Sequence, residues 1–243
     1  MKVALAQISP LKGDIQANII AHKRFIHHAA KQQAEAIFFP ELSLTGYEPT
    51  LAKFLALDPE DTTLADFQNL SNKHHLTIGV GLPKKSEKGI YISLLIFQPN
   101  QARQNYAKQQ LHEDEMPFFV AGDEQLILNI EKETIVPAIC YESLQDNHAA
   151  NASQHKADVY LASVAKSQKG LDKAMMHYPK IATQYGFTVM MVNCIGFCDD
   201  FESVGGSGVW AKNGNLLAQM NSIQEGILVF DTLTKEANIT YLR

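Results

Sequence analysis

Cysteine and tryptophan are scarce: three Cys, at positions 140, 194 and 198, and one Trp among 243 residues. So few thiols, odd in number and widely spread, do not make a disulfide framework. They fit a reducing compartment, and the expected location is cytoplasmic. No apolar run approaches the roughly 20 residues that span a bilayer. The opening Met1-Lys2-Val3-Ala4-Leu5-Ala6-Gln7 is too short an apolar stretch for a secretory signal. Blocks of Lys or Arg are absent and the net charge is −5, which leaves no footprint for nucleic acid or an anionic membrane. Linkers, low-complexity tracts and fixed-period repeats are missing too. What remains is a 46% hydrophobic chain, long enough to bury roughly 70% of its unfolded surface. A single domain over residues 1–243 is expected.

Short apolar runs alternate with segments of helical period. Lys2–Gln7 reads as a buried strand. Asp14 is placed to cap a helix whose Ile15, Ile19, His22, Ile26 and Ala29 share one face. Ala36-Ile37-Phe38-Phe39 is the next strand, stopped by Pro40. A helix around 59–74 leads to a strand at Leu76–Gly81, a hairpin partner at Ile90–Phe97 and a strand-like stretch at Tyr106–Leu111. The second half repeats the logic with strands at Thr134–Ile139, Asp158–Ala162 and Thr188–Asn193. Asn213-Gly214 signals a two-residue hairpin, and Ile227–Phe230 closes the set. Strands beside helices, with hairpins among them, predict an α/β fold of mixed sheets covered by helices.

Three predicted strand ends carry groups able to do chemistry. Glu41 emerges directly after Pro40, where open α/β sheets place their ligands. It is either a solvated turn carboxylate or a general base whose pKa is raised beside an apolar wall. Lys108 follows Tyr106-Ala107; a solvated surface charge is the plain reading, and an ammonium aimed at a developing oxyanion is the functional one. The acidic run Glu113-Asp114-Glu115 is a solvated loop, unless one member pairs with Lys108 or orients a substrate amine. Cys140 is delivered by Val136–Ile139 to a turn, with a helix starting at Glu142-Ser143. That is the geometry of a nucleophile elbow, in which a helix N-terminus favours thiolate and the N–H of Tyr141 points at an oxyanion. A buried structural thiol is the alternative.

In that order, Glu41, Lys108 and Cys140 resemble the nitrilase superfamily of carbon–nitrogen hydrolases. The likeness rests on Phe38-Phe39-Pro40-Glu41-Leu42 with Thr45-Gly46-Tyr47, on Tyr106-x-Lys108-x-x-Leu111 and on Ile139-Cys140-Tyr141-Glu142. The opening strand, Asn193 with Gly196, and Gly205-Gly206-Ser207 before Trp210 extend it over nearly the whole chain. The resemblance implies a four-layer α-β-β-α sandwich with two mixed central sheets and subunits that associate through helices, a homodimer or larger. It implies a Cys140 nucleophile, a Glu41 base, and an oxyanion held by Lys108 and the N–H of Tyr141. A second glutamate in the loop after the lysine matches Glu115, with Glu113 as competitor. Tyr47 and Ser163 join Tyr141 and Glu115 as supporting or substrate-binding candidates. No metal or organic cofactor is called for, and the expected partner is a small amide or N-carbamoyl compound.

Three departures from the family pattern stand out, the last two in regions that the resemblance links to substrate choice. Gln109-Gln110 replaces a common histidine, the tryptophan frequent after Ala162-Ser163-Val164-Ala165 is missing, and Ala182-Thr183-Gln184 lacks the usual arginine and glutamate. Gly13-Asp14-Ile15 and Leu44-Thr45-Gly46-Tyr47-Glu48-Pro49 are also similar to the glutamine-amide domain of NAD synthetase. There the Cys is followed by Glu-Asp, and the remaining length leaves no room for an ATP-using domain, so a stand-alone amidase is expected. The competing readings are an acyltransferase that resolves the same thioester with an amine, and a non-catalytic scaffold. Cys194 and Cys198 lack a second ligand pair for zinc, and His27-His28 and His74-His75 read as solvated. Gly205–Gly208 lacks the context of a phosphate loop.

Overall fold

Alternation of side chains along the strands decides the layering. In the computed structural model, which describes residues 1–58 and 60–242, the first half runs β1 (Lys2–Gln7), α1 (Ile15–Lys31), β2 (Ala36–Phe38), α2 (Ala52–Leu55), α3 (Ala65–His74), β3 (Thr77–Ser86), β4 (Gly89–Phe97) and β5 (Gln104–Ala107). The second half continues with β6 (Leu128–Ile130), β7 (Glu133–Ile139), α4 (Asp146–Gln154), β8 (Val159–Val164), α5 (Gln168–Tyr185), β9 (Thr188–Asn193) and β10 (Ile195–Cys198). The chain closes with β11 (Phe201–Val204), β12 (Gly208–Trp210), β13 (Leu216–Gln219), β14 (Gly226–Asp231) and β15 (Ala237–Tyr241).

A seven-stranded sheet has the order β15-β14-β1-β2-β3-β4-β5 and a six-stranded one β13-β12-β9-β8-β7-β6, with β10 and β11 forming a separate ribbon. Both large sheets are mixed: β1-β2-β3 and β7-β8-β9 run parallel at their centres, with antiparallel neighbours outside. In β1, Val3 and Leu5 face the other sheet while Ala4 and Ala6 face α1. In β4, Ile92, Leu94 and Ile96 face inward and Leu95 and Phe97 outward.

The inner core joins Phe38, Ile92 and Leu94 of one sheet to Ile139, Leu161 and Met190 of the other. Phe25 and Ile26 of α1 and Phe67 of α3 cover the seven-stranded sheet; Ala149 of α4 and Tyr178 and Ile181 of α5 cover the six-stranded one. This is the four-layer α-β-β-α sandwich. Among the described residues no helix is long and apolar enough to cross a membrane.

Local signals explain most element ends. Asp14 caps α1 by accepting from the Ala17 N–H at 3.0 Å, and Ile19, His22, Ile26 and Ala29 are buried. Gly186, at φ 71°, ends α5 in the left-handed conformation that glycine tolerates. The helix expected around 59–74 begins as a 3₁₀ turn at Thr62–Leu64 before α3; Pro59 lies outside the described residues. The Asn213-Gly214 hairpin forms with a longer loop, closed by Ala211 N–H to Asn215 O and Gly214 N–H to Ala211 O, each 2.8 Å. A register shift between Val209 and Trp210 accommodates it. The strand expected over Tyr106–Leu111 ends at Ala107; the Lys108 N–H still bonds Ile92 O, but the following Gln109 and Gln110 N–H groups turn to the Glu142 carboxylate.

Candidate active site

The chain after β2 is held on three sides. Phe39 N–H bonds Gly79 O at 3.0 Å and Leu44 N–H bonds Gly81 O at 2.9 Å. Gly81 is required here: a Cβ would lie 2.3 Å from Pro40 O and 2.6 Å from Leu42 N. From α1, Asn18 Nδ2 donates to Leu44 O at 3.0 Å, and His22 Nε2 lies 3.0 Å from Ser43 Oγ. From the opposite sheet, Ser163 Oγ donates to Phe39 O at 2.8 Å. Ser163 is fully buried and holds the backbone two residues before Glu41.

Glu41, 2% exposed, shares the Lys108 ammonium with Glu115: Nζ donates to Glu41 Oε1 at 2.7 Å and to Glu115 Oε1 at 2.6 Å. Tyr47 OH at 2.9 Å and His112 N–H at 2.8 Å also donate to Glu115. Glu113 is exposed, so Glu115 is the glutamate that meets the lysine. Burial pulls the Lys108 pKa down, but Glu41 and Glu115 outweigh it and leave it above its ordinary value. Glu41 is pushed up to about 7, chiefly by burial, with Lys108 opposing and Glu115 reinforcing. Its Oε2 is buried with no hydrogen-bond partner. That oxygen is the free acceptor of the site, and the Cys140 thiol is close enough to influence Glu41.

Cys140 follows β7 at φ 47°, a left-handed conformation that turns the chain sharply. The helix expected from Glu142-Ser143 is a five-residue 3₁₀ turn, Cys140–Leu144, and α4 starts only at Asp146. The dipole of a helix starting at Glu142 therefore does not act on the sulfur. Burial first, and then the Glu41 charge, push the thiol up to about 12, with Lys166 and Lys108 opposing. The resting group is a protonated thiol, donating to Ala165 O at 3.4 Å, and not the thiolate that the expected helix would favour.

Sequence reasoning gave Glu142, two residues after Cys140 and fully buried, only as a motif residue and a helix start, without its role in the site. It accepts from Tyr106 OH and the Ile139 N–H at 2.7 Å each on Oε1, and from the Gln109 and Gln110 N–H groups at 2.7 and 3.2 Å on Oε2. One carboxyl thus ties the Lys108 loop to the Cys140 turn. Glu142→Ala leaves these donors unpaired, and the expected destabilisation of about 3 kcal/mol corresponds to a Tm lower by roughly 6–12 °C. Calorimetry reads it directly; a drop under about 2 °C in Tm, or roughly 0.5–1 kcal/mol, contradicts this role.

A cavity of about 270 Å³ opens over the sulfur, lined by Tyr47, Glu115, Cys140, Tyr141, Leu144, Ala165, Lys166, Ser167, Gly170, Lys173 and Phe201, with His112 and Asp114 at one side. A wider groove of about 560 Å³ beside Lys2, Gln32 and Asn238 contains no thiol. Lys166 was not foreseen; its one sequence signal is its place directly after Ala162-Ser163-Val164-Ala165, where the family resemblance leads one to expect a tryptophan. Cys194 and Cys198 are buried with their sulfurs 3.7 Å apart, and neither lines the cavity.

The sequence model of the carbon-nitrogen hydrolase family matches residues 2–235. A protein described as a probable nitrilase from Schizosaccharomyces pombe is 22% identical over 94% of this chain and 87% of its own length. The glutamine-dependent NAD(+) synthetase of Acinetobacter baylyi is 26% identical over 92% of this chain, which spans only 42% of that protein. Among solved structures, a Nesterenkonia sp. AN1 amidase mutant described as carrying the acetamide moiety of fluoroacetamide at its active-site cysteine superposes with TM-score 0.86 at 21% identity. That match covers 94% of this chain and 89% of the other. An alanine mutant of that amidase in complex with butyramide gives TM-score 0.88 at 21% identity, over 97% and 92%. With the family match spanning β1 to the turn after β14 and the same layered fold in those amidases, this chain belongs to the carbon–nitrogen hydrolase family.

Proposed function

We propose that the protein hydrolyses the C–N bond of a small linear amide, or of an N-carbamoyl compound, through a thioester on Cys140. The observation that carries this reading is the unpartnered Oε2 of buried Glu41, in a carboxyl whose pKa is raised to about 7, beside a protonated thiol. A carboxylate so placed accepts a proton without first breaking a hydrogen bond.

The chemistry follows from the positions. Cys140 Sγ attacks the amide carbon as its proton passes to Glu41. Lys108 and the N–H of Tyr141 stabilise the oxyanion in a water-poor site. Glu41 then returns the proton to the departing nitrogen, the C–N bond breaks, and ammonia or an amine leaves a thioester on Cys140. Water, giving a proton to Glu41, attacks that thioester; the acid departs and the thiol regains its proton. Glu115 acts on Lys108, fixing its ammonium against Glu41.

Mass spectrometry of protein quenched during turnover is expected to show an acyl increment on the Cys140 peptide, with ammonia released across an amide and carbamoyl panel. Added amines test acyl transfer in the same experiment, and the expected product is the free acid. Absence of both adduct and ammonia over the panel would defeat the proposal.

A further inference from the structure

The chemistry above leaves Lys166 unused, although it stands at the nucleophile. It is 4% exposed, with Nζ 3.9 Å from Cys140 Sγ and 3.5 Å from Cys140 O, its only side-chain hydrogen-bond partners among the described residues. Lys108, by contrast, sits between two carboxylates. The backbone of Lys166 is clamped: its N–H donates to Asn193 Oδ1 at 2.8 Å, and its carbonyl accepts from Asn193 Nδ2 at 3.2 Å and Ser203 Oγ at 3.1 Å. Its stem runs over Gly170, where a Cβ would lie 3.2 Å from Lys166 Cβ and 3.4 Å from Cγ. The ammonium is thus held toward the cavity by packing. A buried cation without a counter-ion is costly unless an anion arrives.

A second observation points to the same anion. Helix α5 starts two residues on, and Ser167 at its N-cap makes no side-chain capping bond. The first-turn N–H groups and the positive end of an 18-residue helix therefore border the cavity. Ser167, Gly170 and Lys173 line the cavity from one face of that helix. The acidic groups opposite are engaged: Glu115 with Lys108 and Tyr47, Asp114 with His112 Nδ1 at 2.5 Å.

We propose that this wall is an anion subsite, and that the amide taken by the protein carries a carboxylate on its acyl side. The inference rests on the amidase reading of the same cavity. The 3.9 Å between Nζ and Sγ keeps the carboxylate near the scissile carbonyl, so the class is a monoamide of a short dicarboxylic acid. Succinamate is the probe; butyramide, with a methyl group in place of the carboxylate, is its neutral match.

Wild-type kcat/KM is expected to favour succinamate over butyramide by at least about tenfold. Lys166→Met collapses that ratio toward one, mainly through a raised KM for succinamate, and Lys173→Met lowers it in part. Succinate is expected to raise the Tm of Cys140→Ser protein and to lose that effect when Lys166→Met is added. If Lys166→Met does not fold, Lys173→Met and the succinate-induced Tm shift of Cys140→Ser decide the matter. A wild-type ratio near one overturns the subsite alone. So does an equal loss on both amides in Lys166→Met, which would make the lysine a partner of the Cys140 thiolate only. No acylation of Cys140 by any amide overturns the amidase reading, and the subsite with it.

Discussion

Cys140→Ala is expected to cut ammonia release by about 10⁴-fold or more and to remove the acyl increment seen in quenched wild-type protein. The size of the effect follows from the cavity, whose only other hydroxyl or thiol groups are Tyr47, Tyr141 and Ser167. The Tyr47 hydroxyl is committed to Glu115, and burial first, then the Glu41 charge, hold its pKa far above the ordinary value. Ser143, three residues on, has its hydroxyl between Cys140 O and Tyr178 OH and lies outside the cavity lining. Among the described residues no substitute lines the cavity beside the free oxygen of Glu41. Alanine meets the same φ of 47° that cysteine already tolerates, so the backbone cost is little changed and Tm should move only slightly. Steady-state assay of the variant checks it; more than about 1% residual turnover would mean the thioester route is wrong.

Glu41→Gln is expected to cost about 10²-fold or more in kcat/KM and to erase the acid limb of the pH profile. The deprotonated carboxylate is the active form, and burial places its pKa at about 7. Wild-type kcat/KM should therefore fall as pH drops through about 7 and level off above it. Glutamine keeps an oxygen for the Lys108 bond at Oε1 but replaces the free acceptor with a donor, so geometry survives while proton transfer does not. The resting thiol strengthens this expectation: with Cys140 pushed up to about 12, little thiolate exists near neutrality unless a base takes the proton during attack. An acid limb persisting near pH 7 in Glu41→Gln would assign the titration to another group.

The legible parts of the molecule were those written in local rules. Pro40 ends a strand, Asp14 caps a helix, and Val136–Ile139 delivers Cys140 to a turn; each is decided by neighbours in sequence. Glu41, Lys108 and Cys140 were singled out because all three follow strands, whereas Glu115 was picked from its acidic run only by the family resemblance. Partners distant along the chain were not legible. Ser163 bonds Phe39, 124 positions away, and Glu142 gathers N–H groups from the Lys108 loop. The Glu142-Ser143 helix is only a short 3₁₀ turn, because the backbone becomes extended at Gln145 (φ −99°, ψ 124°) before the next helix starts at Asp146. The outer strand β15 carries Ala237–Tyr241, mostly exposed or half-buried, and lacks the apolar alternation that betrays a strand.

Glu41 and Lys108 issue from the seven-stranded sheet, Cys140 and Lys166 from the six-stranded one. On the proposed mechanism each sheet contributes half of the apparatus, so competence belongs to their mutual alignment and to neither alone. The Phe38, Leu94, Ile139 and Leu161 layer between them therefore works as a gauge block that sets the gap between the Glu41 carboxyl and the Cys140 sulfur. Stability and activity are separable in such a design: a core substitution that lets the two sheets slide by a fraction of an ångström can leave the fold standing while the proton finds no one to take it.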